Sequence, residues 1–238
     1  MINIMNLKKI LIFIKKIFYY PNFSYLNVDY KKYWKLRRGD DSLTLNSFQK
    51  FRAELIINYL KENSSILDIG SGDGALLNFF AKNKKLKITA SDIFIEKLDH
   101  LTKYGVNLMK LNINNIDNIK NLEKYDYILI LEVLEHIQNS EEILLNLLKK
   151  TDKSIFFSIP NTGYLSHRLR LLFGRFPLQW NGNPSEHIRF WTYKDLIWWL
   201  NSLGLLKKSN IYIYEGIPIL NKVKPSLFGA GFLVKIDK

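Results

Sequence analysis

An aspartate followed by closely spaced glycines is the part of this sequence whose residue types and spacing could most specifically do chemistry. The segment Ser65-Ile66-Leu67-Asp68-Ile69-Gly70-Ser71-Gly72-Asp73-Gly74 has the pattern of an apolar strand, a glycine-rich turn and the start of a helix. Glycines permit positive φ and close backbone approach, and a helix start presents N–H groups without intrahelical partners. The segment therefore predicts a site for a nucleotide-like ligand, with a purely structural turn as the alternative.

The carboxylates around this turn indicate which kind of ligand it would take. By spacing alone, Gly70, Gly72 and Ala75 also satisfy the dinucleotide-binding pattern G-x-G-x-x-G/A. Asp68 ends the predicted strand, where it would accept hydrogen bonds from a cationic amino group and repel a pyrophosphate. Asp73 adds a second negative charge beside the turn. Both residues favour a ligand without phosphates.

A second acidic anchor follows at the end of the next predicted strand. Asp92 lies 24 residues beyond Asp68 and closes the run Thr89-Ala90-Ser91-Asp92. An acidic residue about 20 positions after a glycine turn is placed to accept both hydroxyls of an adenosine ribose. Strand, turn, helix and acidic strand end are thus mutually consistent.

These segments resemble motifs I and II of class I methyltransferases that use S-adenosylmethionine (SAM). The resemblance implies SAM as the cofactor and a Rossmann-like, doubly wound α/β fold of seven strands whose last strand is antiparallel. It also implies the cofactor-binding residues, which run from the methionine part to the adenine side of SAM: Asp68, Gly70, Gly72, Asp92, Ile93, Asn112 and Leu131. Asn112 departs from the pattern, because many relatives have aspartate there, yet its side-chain oxygen can still meet the adenine amino group.

The acceptor side is indicated by the run Glu132-Val133-Leu134-Glu135-His136 after the fourth strand, and by His187 further on. The run resembles the E-V-L-E-H segment of methyltransferases acting on quinone precursors and other small molecules. Spacings of three and four predict that Glu132, Glu135 and His136 share one helical face. His136 and His187 are the candidate catalytic residues, and His136 has the ordinary pKa range of a general base.

A divalent metal site is the alternative use of the same residues. Glu132, Glu135, His136 and His187 together could hold one ion of the magnesium, manganese or zinc type. Some relatives, including small-RNA end methyltransferases, carry a similar arrangement. A third reading is that His136 only caps or packs, and the sequence leaves all three open.

An insertion is expected at residues 161–190, where glycines and prolines interrupt the alternation of strands and helices. Its start, Pro160-Asn161-Thr162-Gly163-Tyr164, is similar to the MetW-like group, in which P-N-x-G-Y precedes an arginine- and leucine-rich helix. Four residues of the insertion could bind an anionic or aromatic acceptor or a membrane surface, or could form a solvated lid: Arg168, Arg170, Arg175 and Trp180.

The elements that must position these residues alternate as in a parallel sheet covered by helices. Strands are predicted at residues 66–69, 88–91, 108–111, 127–131, 155–159, 211–214 and 232–236. Helices are predicted near residues 75–82, 95–103, 141–149 and 193–203, the last ending at Gly204. The expected division is an N-terminal cap at residues 1–50 and a SAM-binding domain at 51–238.

The cap is predicted to begin as a basic amphipathic helix. Apolar residues recur at helical spacing at Ile4, Leu7, Leu11, Ile14 and Phe18, with lysines between them. This helix packs on the domain or makes peripheral membrane contact through residues 4–18. Four residues resemble the aromatic and basic lead-in of small-molecule methyltransferases: Tyr30, Tyr33, Trp34 and Arg38.

The composition limits the remaining possibilities. The 238 residues include no cysteine, which excludes disulfides, thiolate metal sites and a cysteine nucleophile and is compatible with the cytoplasm. The formal net charge of +13 fits an RNA, a membrane surface or an acidic ligand, or simply reflects a lysine-rich composition. No DNA acceptor is expected, since Ser158-Ile159-Pro160-Asn161 is not the N-P-P-Y type of pocket for a flipped adenine.

The sequence as a whole predicts a methyltransferase that transfers a methyl group from SAM to a small molecule or biosynthetic intermediate, with O-methylation favoured. The alternatives are an RNA methyltransferase and a non-catalytic, MetW-like partner protein that retains the fold.

Overall fold

Seven strands form one mixed sheet in the order β3-β2-β1-β4-β5-β7-β6. The structure is a computed structural model and describes Lys15 and residues 17–19, 44–179 and 186–238. The strands are β1 (Ser65–Ile69), β2 (Lys87–Asp92), β3 (Asn107–Lys110), β4 (Tyr125–Leu131), β5 (Thr151–Pro160), β6 (Ser209–Gly216) and β7 (Gly229–Asp237). Strands β1 to β5 pair in parallel, and β7 is antiparallel to both β5 and β6. The predicted seven-stranded sheet with an antiparallel last strand is confirmed.

Helices form at each of the four places where the sequence pattern predicted them, and α1 and several shorter helices in the connections are additional. They are α1 (Ser47–Ile57), α2 (Ala75–Asn83), α3 (Ile116–Lys120), α4 (Ser140–Lys149), α5 (Leu165–Leu172), α6 (Tyr193–Ser202), α7 (Leu220–Val223) and α8 (Pro225–Phe228). The helix predicted near 95–103 forms as a 3₁₀ helix at Ile95–Tyr104, and further 3₁₀ turns occupy Leu134–His136 and Leu206–Lys208. Gly204 follows α6 with φ +70°, as expected of a helix-ending glycine.

Each face of the sheet has its own hydrophobic core. Successive strand residues point to opposite faces, so Leu67 and Ile128 join one core, whereas Ile66 joins the other. The first core includes Leu144 of α4 and residues of α6, and the second includes residues of α1, α2 and the 95–104 helix, such as Phe80. Burial on both faces explains why the central strands are continuous apolar runs without alternation.

The strand order locates a ligand crevice. The chain builds outward from β1 to β2 and β3, then crosses to β4 on the other side of β1. In such sheets ligands bind at the carboxyl ends of the strands where this direction reverses. Here that point is the gap after Ile69 and Leu131, the last residues of β1 and β4.

Most of the N-terminal prediction and one residue of the insertion lie outside the described residues. The N-terminal positions are Ile4, Leu7, Leu11, Ile14, Tyr30, Tyr33, Trp34 and Arg38, and the residue of the insertion is Trp180. Ile17 and Phe18, at the end of the predicted amphipathic helix, are helical. Within the parts of the chain that are described, every helix is too short or too polar to cross a bilayer.

Candidate active site

The glycine turn after β1 adopts backbone angles that its sequence requires. Gly70, Gly72 and Gly74 have φ values of +72°, +61° and +74°, in the left-handed region that side chains disfavour. The N–H groups of Gly70 and Ser71 donate to the carbonyl of Ser91 on β2. A Cβ on Gly70 would lie 2.7 Å from Cγ2 of Val133. The turn is thus held tightly against β2 and against the segment that follows β4.

Asp68 is buried beneath this turn. Asp68 is 3% exposed. Burial raises the pKa of its carboxyl to about 7, although a hydrogen bond with Ser71 acts in the opposite direction and lowers this pKa. The nearby Asp92 carboxylate raises the pKa of Asp68 further. A buried carboxyl with so high a pKa is stabilised by any cationic group that binds beside it. This property fits an ammonium or sulfonium group and opposes a phosphate.

Asp92 reaches the same turn from the end of β2. Its Oδ2 accepts a hydrogen bond from the Gly72 N–H (3.3 Å) and lies 2.9 Å from Nζ of Lys97. Its Oδ1 accepts from the Phe94 N–H (3.0 Å), which turns the chain and leaves the Ile93 and Phe94 side chains exposed. A fixed carboxylate beside two exposed apolar side chains suits a ribose and an adjoining flat base.

The two remaining predicted cofactor residues lie at neighbouring strand ends. Asn112 follows β3, next to Leu111, whose N–H donates to the Asp92 carbonyl (3.1 Å). The Asn112 side-chain oxygen already accepts from the Asn114 N–H (3.0 Å), and its second lone pair is the one that could meet a base. Leu131 ends β4 opposite Ser158 of β5. All seven predicted cofactor residues therefore lie along one edge of the sheet, and their binding roles stay predictions.

Glu132 does not lie on a helix, so the predicted helical face shared with Glu135 and His136 is wrong. Glu132 has φ +56°, and only the three residues Leu134–His136 form a 3₁₀ turn. The N–H of Glu132 donates to the carbonyl of Ser158, which ties the bend after β4 to β5. A left-handed residue with a side chain costs of order 1–3 kcal/mol, so the surroundings of Glu132 must hold it there.

Those surroundings include a buried arginine that sequence reasoning missed. Nη1 of Arg52, on α1, lies 3.1 Å from Oε1 of Glu132 and donates to Oγ of Ser158 (2.9 Å). The Tyr214 hydroxyl on β6 donates to the same Glu132 oxygen (2.5 Å). The sequence feature that could have drawn attention to Arg52 is a charged residue beside Ala53, within the apolar face of α1. The partners of Arg52 are 80 or more residues away in the chain, so no local spacing in the sequence indicates them.

Glu135, His136 and His187 come together as predicted, without Glu132. One ligand atom from each of the three lies within 4.8 Å of the others. The end of the insertion is tied to this place because the N–H groups of Ile188 and Arg189 both donate to the Glu135 carbonyl (3.0 Å each). The rings of His136 and His187 pack edge to face with centroids 4.7 Å apart.

The Glu135 carboxyl is fully buried, and neither of its oxygens has a hydrogen-bond partner among the described residues. Burial raises its pKa well above the usual value, and the Glu132 carboxylate raises it further. His136 is different, since its side chain is 39% exposed and its Nε2 lies 4.0 Å from Oε1 of Glu135. Its Nδ1 contacts the carbonyl of Glu186. A carbonyl only accepts, so Nδ1 carries the proton and Nε2 is the basic nitrogen.

A sheet of this topology, with a glycine turn and acidic residues at the ends of β1 and β2, defines the class I methyltransferase fold. The family described as "methyltransferase domain" matches residues 44–207. The chain therefore belongs to the methyltransferase-domain family, and it is a SAM-dependent methyltransferase.

Three individual proteins illustrate the similarity. The ubiquinone biosynthesis O-methyltransferase of Rickettsia bellii is 30% identical over 194 residues, covering 76% of this chain and 78% of that protein. The bifunctional methionine biosynthesis protein MetXA/MetW of Rhodopirellula baltica is 23% identical, over 69% of this chain and 27% of that protein. A SAM-dependent methyltransferase from Archaeoglobus fulgidus shares the fold with a TM-score of 0.62 and 19% identity, over 88% of this chain and 100% of that one. Both predicted resemblances, to quinone-precursor methyltransferases and to the MetW-like group, are confirmed.

Proposed function

We propose that this protein transfers the methyl group of SAM to a hydroxyl oxygen of a small-molecule acceptor, with His136 as the general base. When bound, SAM supplies an electrophilic methyl group on a sulfonium. The protein has to orient the acceptor and remove its proton. The observation that supports this proposal most is the contact between His136 Nδ1 and the Glu186 carbonyl, which leaves Nε2 of a partly exposed ring as the basic nitrogen.

The neighbouring groups support the same role. The partly exposed His136 ring can reach an acceptor, and the His187 ring at 4.7 Å can orient the acceptor or share its proton. The similarity to an enzyme named ubiquinone biosynthesis O-methyltransferase favours oxygen over nitrogen or carbon as the atom methylated. We assign the cofactor to Asp68, Gly70, Gly72, Asp92, Ile93, Asn112 and Leu131, add Arg52, and keep residues 161–190 as the insertion that shapes the acceptor site.

The test is a methyl-transfer assay with a panel of phenols and amines, following release of S-adenosylhomocysteine (SAH). We expect methylation of a phenolic oxygen, and His136→Gln should lower kcat by about 10²- to 10⁴-fold, the usual contribution of a general base, with SAH affinity unchanged. His100→Gln is the matched control, because His100 also has Nδ1 on a backbone carbonyl, that of Lys97, but lies on the 95–104 helix. Methylation of amines alone, or full activity of the His136 variant, would contradict the proposal.

A divalent metal at Glu135, His136 and His187 is the second candidate, and the buried Glu135 carboxyl favours it. An unpartnered buried carboxyl is costly, and a cation between it and two imidazoles would satisfy it. Such an ion would hold and polarise an acceptor hydroxyl. Glu132 is not included, because its carboxylate is engaged by Arg52, Ser158 and Tyr214.

Metal binding is measured directly, by titrating Mn²⁺, Zn²⁺ and Mg²⁺ into the purified protein and counting bound ions by elemental analysis. The metal proposal expects one ion per chain, lost in Glu135→Gln and retained in Glu142→Gln, an exposed control on α4. If none of the three ions binds at one per chain and activity persists in EDTA, the metal proposal is contradicted and His136 acts as a base without a metal.

We further propose peripheral contact with an anionic membrane surface through residues 4–18. In support, Phe18 and Tyr19 are half exposed, and the Phe18 ring packs 5.2 Å from Phe173 beside Leu172, which is 75% exposed. In a vesicle flotation assay, the protein should rise with vesicles rich in anionic lipid and should not rise with neutral vesicles. The double substitution Phe18→Ser and Leu172→Ser should abolish this co-flotation. Flotation unchanged by the double substitution, or strongly salt-dependent retention on RNA without any flotation, would overturn this proposal.

A further inference from the structure

Four elements meet in one buried ionic cluster beside the glycine turn. Its members are Arg52 of α1, Glu132 after β4, Ser158 of β5 and Tyr214 of β6, called the Arg52 cluster below. The Tyr214 and Ser158 hydroxyls donate to the same Glu132 oxygen, at 2.5 Å and 2.7 Å. Arg52 is held by that oxygen, by the Ser158 hydroxyl, and by the Tyr214 ring, whose centroid is 4.9 Å from the guanidinium carbon.

The guanidinium is oriented but not saturated by these contacts. Arg52 is 8% exposed, and its Nε has no hydrogen-bond partner within the described parts of the chain. Arginine has five N–H donors, and a buried donor left unsatisfied is destabilising. A carboxylate is the group that best complements such a donor, since it can accept from the planar fork in pairs.

The position of the cluster indicates where that carboxylate would come from. Gly70 abuts Val133, the residue next to Glu132. Burial raises the pKa of Asp68 to about 7, and the Arg52 charge is among the influences that lower it, so the two side chains lie within electrostatic reach. The amino-acid end of a cofactor whose ammonium group lies on Asp68 would place its carboxylate near Arg52.

We propose that Tyr214 is a positioning residue for cofactor binding, which acts through Glu132 to hold the Arg52 guanidinium toward the carboxylate of the methionine part of SAM. This inference rests on the proposed cofactor site. Tyr214 itself touches no part of the cofactor. Its hydroxyl fixes the Glu132 oxygen, and that oxygen fixes Arg52.

The sheet is built to admit the Tyr214 ring at this point. Gly231 of β7 pairs with Tyr214, and a Cβ on Gly231 would lie 2.4 Å from Cζ of the Tyr214 ring. Side chains do not approach that closely, so β7 can lie against the ring only with glycine at this position. Gly231→Ala is therefore a second way to displace the Tyr214 hydroxyl without substituting any member of the Arg52 cluster.

The test compares ligands that differ in the amino-acid part. SAH carries its ammonium and its carboxylate, 5′-methylthioadenosine has the same nucleoside and thioether but lacks both groups, and decarboxylated SAH lacks only the carboxylate and should behave as methylthioadenosine does. In calorimetric titrations, Tyr214→Phe should weaken SAH binding about tenfold, as expected for loosening a charge-assisted hydrogen bond, and leave methylthioadenosine binding unchanged. Tyr212→Phe is the matched control, because Tyr212 lies two residues earlier on β6 and shares a hydrogen bond with Tyr59 instead.

A double-mutant cycle shows whether the effect passes through Arg52. In an Arg52→Met background, Tyr214→Phe should cause no further loss of SAH affinity. Should Tyr214→Phe fold poorly, as judged by its thermal midpoint, Glu132→Gln replaces it with the same expected discrimination between the ligands. Equal losses for SAH and for the ligands without the carboxylate, or a Tyr214 effect that persists without Arg52, would overturn the inference. A wild-type protein that binds none of these ligands would instead overturn the proposed function.

Discussion

At the scale of single residues, the site is defined by carboxylates that differ in their surroundings. Asp68 is buried and has a raised pKa. Asp92 is anchored by two backbone N–H groups and by Lys97. Glu132 is tied to Arg52, and Glu135 is buried with no hydrogen-bond partner among the described residues. Environment, more than residue type, thus separates the proposed cofactor carboxylates from those on the acceptor side.

Asp92→Ala should weaken SAH binding by about 1–3 kcal/mol, because the ribose hydroxyls lose a charged acceptor. Isothermal titration measures the change in affinity. Asp99→Ala is the control, since Asp99 is an exposed aspartate on the same 95–104 helix that carries Lys97. Unchanged affinity in Asp92→Ala would refute the ribose role.

Asp68 should make cofactor binding depend on pH. The pKa of its carboxyl is about 7 in the ligand-free protein, so below pH 7 much of it is protonated. A bound ammonium group favours the ionised carboxylate and lowers this pKa, so binding releases protons and SAH affinity rises as the pH increases toward 7.

Titrations at pH 6.5 in buffers with different ionisation enthalpies give the number of protons released. Asp68→Asn should abolish the proton release that comes from Asp68, and it should flatten the rise of SAH affinity with pH. Identical proton release by the wild type and Asp68→Asn would contradict an ionised Asp68 in the complex.

At the scale of elements, the strand ends and the tight turns between them set the geometry of the site. The glycine turn after β1 is fixed by left-handed backbone angles and by its contact with Val133. The segment after β5 crosses to the acceptor side, where two N–H groups on the Glu135 carbonyl hold His187 near His136.

Gly70→Ala should be more destabilising than Gly105→Ala, although both positions have nearly the same φ, +72° and +74°. A left-handed alanine costs of order 1–2 kcal/mol at either position. Only at Gly70 would the added Cβ also collide with Val133, since Gly105 has nothing within 4 Å of that position. Urea unfolding measures the free energy of unfolding of each variant. Equal losses would contradict the prediction, because they would mean that Val133 moves aside to admit the added Cβ at Gly70.

Sequence reasoning predicted the seven strands because buried parallel strands are apolar runs separated by helical periodicity. The glycine turn and Asp92 were also recognisable, since their chemistry depends on local spacing. The helical face expected for Glu132 was wrong because the left-handed backbone at that residue is imposed by Ser158, Arg52 and Tyr214. Such contacts join distant parts of the chain, and periodicity carries no information about them.

At the scale of the whole molecule, the topology brings cofactor and acceptor groups to one edge. The reversal of strand order between β1 and β4 places the end of β1, which bears Asp68, beside the segment that bears His136. The antiparallel β7 brings β6, and with it Tyr214, parallel to β5 at the same edge. The net charge of +13 is not needed for any of these contacts and suits an anionic surface.

The most direct measurement titrates the purified protein with SAM, SAH and NAD⁺ in parallel by calorimetry. Asp68, buried at the end of β1, is stabilised by a cationic group and not by a pyrophosphate, which predicts one molecule of SAM or SAH bound per chain and no binding of NAD⁺. Binding of NAD⁺ by a protein that ignores SAM and SAH would contradict the account.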